Sequence, residues 1–151
     1  MQEISRRELC VGLPALAGLF GSLTLAHAQA KPPEALPDIS RAFAFDQLPV
    51  HTSANGGASR PVLAGRLPTG EIIEVHETTL PPGAMPHPPH KHRHSELMMI
   101  REGSVEFEMD EQRSVVGPGG VLYAASNTMH GLKNVGTTPA NYFVIAIGIE
   151  S

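Results

Sequence analysis

Between Arg60 and Gly148 the chain never keeps an apolar period long enough for a helix, because turn residues cut it at "LPTG", "LPPGAMP", "REG", "DEQ", "GPGG", "SNT" and "NVGTTP". Short runs at such spacing pack as an all-β sandwich or barrel. The pattern predicts strands over Arg60–Gly65, Ile72–Leu80, His90–His94, Leu97–Arg101, Val105–Met109, Arg113–Val116, Val121–Ala124, His130–Asn134 and Asn141–Gly148. Upstream, "RAFAFDQLPV" reads as a first edge strand and "HTSANGGASR" as a loop, by its Gly, Ser and Asn content.

The first thirty residues stand apart from this pattern. They run from a charged start through an apolar middle to a small-residue end, "AHAQA", which is the layout of a cleavable export signal. The pair Arg6-Arg7 ahead of the apolar run Leu9–Leu25 resembles a twin-arginine signal, with cleavage expected after Ala28 or Ala30. A membrane span takes about 20 apolar residues. This run is shorter and contains Pro14, so no stable membrane insertion is expected once the signal is removed. The expected organisation is therefore a signal at 1–30, a Pro-rich tether and N-terminal arm at 31–58, and one barrel at 59–149. The expected location is periplasmic or secreted.

Cleavage removes Glu3, Glu8, Arg6 and Arg7, two charges of each sign, so the formal net charge stays at −4. Such a surface is a poor match for nucleic acid. The single cysteine, Cys10, lies inside the signal, which leaves the mature chain without a disulfide, a thiolate ligand or a thiol nucleophile. Any metal chemistry falls to histidine and carboxylate.

Those groups crowd into "HPPHKHRHSE", residues 87–96, which holds four of the chain's eight histidines. If His90–His94 is extended, His90, His92 and His94 project from one face while Lys91 and Arg93 project from the other. Imidazoles two residues apart on a strand can meet at one ion, whereas on a helix they diverge by about 200°. A divalent ion takes neutral imidazole nitrogens and carboxylate oxygens at about 2 Å. His90, His92 and Glu96 supply three such groups, and His130, which follows the turn "SNTM", is the candidate fourth from across the fold.

These residues fall in register with the two motifs of the cupins, which the chain resembles. The first motif is a glycine, His-x-His, a glutamate and a second glycine. Here it is met by Gly83, "AMPHPP", His90-Lys-His92, Glu96 and Gly103, with one extra residue after Gly83. The second is met by "GGVLYAASNTMHGLKN", which places Gly119, His130 and Asn134 in register, with Ala125 and Asn127 where the family often has proline and glycine. Asparagine tolerates the left-handed backbone that such a glycine serves.

The resemblance implies a double-stranded β-helix, a cupin jelly-roll barrel, with one divalent ion (Mn, Fe, Ni, Cu or Zn) held by His90, His92, Glu96 and His130. It implies an enzyme acting on a small organic molecule. A quercetinase-like dioxygenase is placed first, ahead of a lyase, decarboxylase or isomerase, and Glu96 is the candidate proton shuttle. The alternative is a metal-bearing module that binds or senses a small ligand without turnover. The resemblance also suggests a homodimer, with "RAFAF" as a strand exchanged or added at an edge.

Burying three imidazoles and a carboxylate without an ion leaves polar groups short of partners, which favours metal binding. His87 and His94 fall outside the motif and read as solvated loop, with His94 a candidate for orienting a ligand or a water. His76 and Tyr123 lie on predicted strands and are further candidates to face the cavity. Met98, Met99, Ile100, Val105, Phe107 and Met109 read as core or cavity lining, and Glu102, Glu106, Glu108 and Asp110 as a solvated strand face and turn.

Overall fold

A computed structural model describes residues 36–148. The export signal read at residues 1–30 lies outside the described residues. A short 3-10 turn, Phe45–Gln47, precedes nine strands: β1 His51–Thr52, β2 Ala58–Arg66, β3 Ile72–Leu80, β4 Ser95–Glu102, β5 Val105–Met109, β6 Gln112–Val116, β7 Val121–Ala124, β8 His130–Asn134 and β9 Ala140–Ile147. They form a six-stranded sheet in the order β1-β2-β3-β9-β4-β7 and a three-stranded sheet in the order β6-β5-β8. Every pairing is antiparallel. The two sheets face each other as a jelly-roll barrel, so the strand-rich expectation holds. Among the described residues no helix is long and apolar enough to cross a membrane.

Alternation along each strand decides what points inward. On β4 Met98 and Ile100 are buried while Met99 is exposed, and on β7 Leu122 and Ala124 are buried while Val121 and Tyr123 are exposed. Phe107 from β5 and Leu132 from β8 close the core from the opposite sheet, where they are direct cross-strand partners. Burying an apolar side chain of that size stabilises the fold by about 2 kcal/mol. The expectation for Met99 is thus corrected, because β4 turns it to the outer face; the other five residues named with it do lie in or against the core.

Two further expectations fail. His90–His94 is not a strand: only His90 makes a β-bridge, to His130. The carbonyls that a ladder would use are taken by the turn before β8 and by the loop's own His92. His92 C=O accepts the Asn127 N–H at 2.7 Å, Arg93 C=O accepts the Ser126 hydroxyl at 2.6 Å, and His94 C=O lies 2.9 Å from His92 Nδ1. Pro88 and Pro89, just before, have no N–H to offer a neighbouring strand. Nor is "RAFAFDQLPV" a strand. The first extended pairing comes later, in the supposed loop, where His51 and Thr52 pair with Ser59 and Ala58 as a hairpin.

Phe45 has another use. Its ring takes two guanidinium groups, Arg60 at 4.5 Å and Arg101 at 4.1 Å. Beneath lies Glu77, on the outer face of the large sheet yet wholly buried. Arg60 pairs with Glu77 at 2.8 Å, and the Thr79 hydroxyl and the Asn141 amide also donate to its carboxylate. The arm therefore covers a polar cluster that alternation alone would leave in solvent.

Candidate metal centre

The two histidine-bearing segments meet directly instead of facing each other across the barrel. His90 and His130 exchange backbone hydrogen bonds, each at 2.9 Å, so the loop before β4 is stitched to the start of β8. The turn "SNT" secures the next residues through Asn127 and Ser126, and Asn127 takes the left-handed backbone expected of it, with φ at 59°. Close approach is possible because Gly131 has no Cβ, which would stand 3.0 Å from the Pro89 ring. The alternation predicted for a strand survives in the loop, with Lys91 and Arg93 exposed while His90, His92 and His94 are half-buried.

The rings of His90, His92 and His130 form a triangle with centroid separations of 5.0, 4.8 and 4.8 Å. One nitrogen from each lies within 4.8 Å of the other two. His92 and His130 each direct Nδ1 at a backbone carbonyl, of His94 and Thr128, at 2.9 Å. Donation there leaves Nε2 as a bare lone pair turned to the centre, the arrangement that presets a metal-binding imidazole. His92 Nε2, His130 Nε2 and His90 Nδ1 are all buried and all lack a hydrogen-bond partner.

Glu96, inward-facing on β4, completes the cluster. Its Oε1 lies 3.3 Å from His92 Nε2 and its Oε2 lies 3.7 Å from His130 Nε2. His94 holds the same Oε1 at 3.1 Å through Nε2 and stacks flat on His92 at 3.6 Å. His94, His92 and Glu96 thus form a second overlapping group of ligand-type atoms within 4.8 Å. His94 is therefore not a solvated bystander: it steadies both a ring and the carboxylate. His87 is exposed but sets its ring edge against His90 at 4.1 Å.

Electrostatics put His90 and Glu96 in the forms a cation takes. Burial, then the neighbouring rings of His87, His130 and His92, push His90 down to about 4, so its imidazole is neutral at neutral pH. For Glu96 burial works upward, but the hydrogen bond from His94 and the charges of His92, His94 and His130 outweigh it. Its carboxyl is held below the usual carboxylate range. Three unpartnered ring nitrogens, that of His90 on a neutral ring, beside an ionised carboxylate fit a divalent metal, and the donor set is nitrogen and oxygen only.

The cluster opens onto a cavity of about 400 Å³. His76 lines it, whereas Tyr123, 58% exposed on the outer face, does not. The carboxylates expected to be solvated, Glu106 and Glu108, are half-buried beside Arg113, while Glu102 and Asp110 are exposed. Sequence reasoning passed over Thr78, Tyr142 and His51 as cavity lining. Counting back by twos from buried Leu80 along β3 gives Thr78, His76 and Glu74 on one face, a signal that was available. Burial pushes the Tyr142 phenol well above its ordinary value, outweighing the opposing hydrogen bond with Thr78, and the Glu96 and Glu77 charges add smaller pushes upward, so it stays protonated.

Residues 76–146 match the family model described as Cupin domain. An RmlC-like cupin from Shewanella frigidimarina superposes with a TM-score of 0.59 at 17% identity, over 74% of this chain and 95% of that one. A predicted oxalate decarboxylase from Thermotoga maritima gives 0.61 at 19% identity, over 72% and 100%. The polyketide cyclase RemF from Streptomyces resistomycificus gives 0.60 at 17% identity, over 74% and 81%. At these identities the likeness is one of fold. A comparison with curated proteins finds no match.

Proposed function

We propose that this chain, whose residues 76–146 carry the cupin domain, is an exported metal-dependent enzyme that acts on a small organic molecule. One divalent ion would be held by His90, His92, His130 and Glu96. The observation that carries this reading is the trio of buried, unpartnered imidazole nitrogens gathered beside an ionised carboxylate. Leaving such atoms unpaired costs about 1–3 kcal/mol each, so a ligand for them is the economical explanation.

When bound, the ion supplies a Lewis acid for a substrate oxygen or a site for O₂ or water. The chain's own residues do the rest. Backbone carbonyls hold the His92 and His130 rings, and His94 fixes one oxygen of Glu96, leaving its carboxylate poised to take and return a proton. The cavity of about 400 Å³ suits a small substrate. That similar folds carry the names oxalate decarboxylase and polyketide cyclase supports an enzyme without choosing the reaction. A dioxygenase-like reaction is the first to test.

Export by the residues 1–30 signal and pairing into a homodimer belong to the same reading. The pairing is supported by an outer sheet face where Val121 and Tyr123 are 59% and 58% exposed beside Met99. The test is to purify natively exported protein with its own metal, then follow oxygen uptake and product formation over phenols, 1,3-dicarbonyls and carboxylic acids. Turnover that disappears in a Glu96→Gln variant retaining its metal is expected. Saturable ligand-induced change at the metal with no turnover would make the protein a binding module instead.

A further inference from the structure

We infer that Glu74 and His76, with His51 in the same wall, form a second polar pole of the cavity that takes a hydroxyl at the far end of the substrate. This rests on the metal reading above and adds the substrate's shape: a short hydroxylated organic acid. Both lie on the face of β3 that Thr78 and Leu80 share; His76 lines the cavity, and Glu74 stands behind it as its partner. His76 Nδ1 lies 2.9 and 3.0 Å from the two oxygens of Glu74, so it donates to that carboxylate. In the neutral ring Nε2 is then the acceptor, held in orientation and aimed by the β3 register. Since His76 lines the cavity, that acceptor suits an O–H donor bound there.

The register places this pole relative to the first. Glu74 and Glu96 are both Cα partners of Ala146, one on each side of β9, and His76 and Met98 are both partners of Val144. Two inter-strand steps make about 10 Å between the backbones that carry the poles. Between them on β9 stand Ala146 and Val144, and Val144 and Met98 give the cavity an apolar wall there, which suits a short hydrocarbon link. His76, Glu96 and His130 line the same cavity. The Nε2 of His51, which also lines it, is buried without a partner. An unsatisfied nitrogen in a cavity wall is stabilised by a polar ligand group.

Full-chain protein loaded with Co²⁺ allows binding to be read from its visible absorption. The probes are azide, which needs only the metal, and two matched pairs: propionate with 3-hydroxypropionate, and butyrate with 4-hydroxybutyrate. In the wild type, one hydroxy acid should bind about fivefold to tenfold tighter than its plain partner, the yield of one good hydrogen bond. His76→Phe should abolish that preference and leave azide affinity unchanged. Glu74→Gln, which keeps the ring, should weaken the preference about threefold, an amide being a poorer acceptor than a carboxylate. It should also move the His76 ¹⁵N resonances toward mixed tautomers, which a purely structural change elsewhere would not do. A wild type without hydroxyl preference, or a preference that survives in both variants, overturns the pole. Azide that fails to perturb the wild-type spectrum overturns the metal reading, and this inference with it.

Discussion

Glu77 and Glu96 are carboxylates on the same six-stranded sheet, one turned outward and one inward, and their surroundings differ in a single respect. Around Glu77 nearly every polar atom is answered: a guanidinium, a hydroxyl and an amide converge on the carboxylate, and Phe45 closes over them. One amide oxygen, Asn141 Oδ1, is left short. Around Glu96 three ring nitrogens are left unanswered, although the backbone has spent two carbonyls on orienting them. A polar cluster that closes on itself holds a fold together; one that is oriented and left open is built for something the chain does not contain.

The sharpest way to break this comparison is to disturb the closed cluster. Glu77→Ala should destabilise the protein by about 3 kcal/mol in urea unfolding, since it strands Arg60 and two neutral donors over a buried site. Added metal should not restore the difference. At the open cluster the response should be the reverse: Mn²⁺ at a hundred times its dissociation constant should raise wild-type stability by about 2.7 kcal/mol, and a chelator should remove that gain. Equal responses at the two sites would erase the distinction.

Acid should also separate them. His90 is lowered to about 4 from an ordinary 6.5, so between those values the unfolded chain binds more protons than the folded one. Metal-free protein should therefore lose stability as the pH falls from about 6.5 towards 4, and His90→Phe should flatten that slope. The depressed carboxyl of Glu96 adds to the loss in the same direction lower down, below the ordinary carboxylate value of 4.5. Unfolding midpoints across pH with chelator present measure both. The smallest effect is expected at the turn that ties the two segments together: Asn127→Ala should cost about 1 kcal/mol, for its left-handed backbone.

Much of the fold is legible in the sequence because turn residues and two-residue alternation are local signals. The predicted runs that became β2 to β9 differ from the observed strands only near their ends, and Asn127 stands in for a glycine as its tolerance of positive φ suggests. The histidine run misleads because its alternation is real but its hydrogen bonds go to a turn thirty-odd residues later, through Asn127 and Ser126. Spacing likewise suggests that His90 and His130 share a site, while their direct backbone pairing is a fact of the folded chain alone. Glu77 is the harder case. Arg60, Asn141 and Phe45 come from three separate segments to bury it, and no single stretch of sequence records that meeting.

The central claim, that the open cluster is a metal centre, is tested most directly by ion stoichiometry. Natively exported protein, dialysed and analysed by plasma mass spectrometry, should hold one divalent ion per chain. A His130→Gln variant with an unchanged circular dichroism spectrum should hold almost none. Wild-type protein recovered without an ion and unable to take one up, or a variant lacking His90, His92 and His130 that still carries one, would contradict the account.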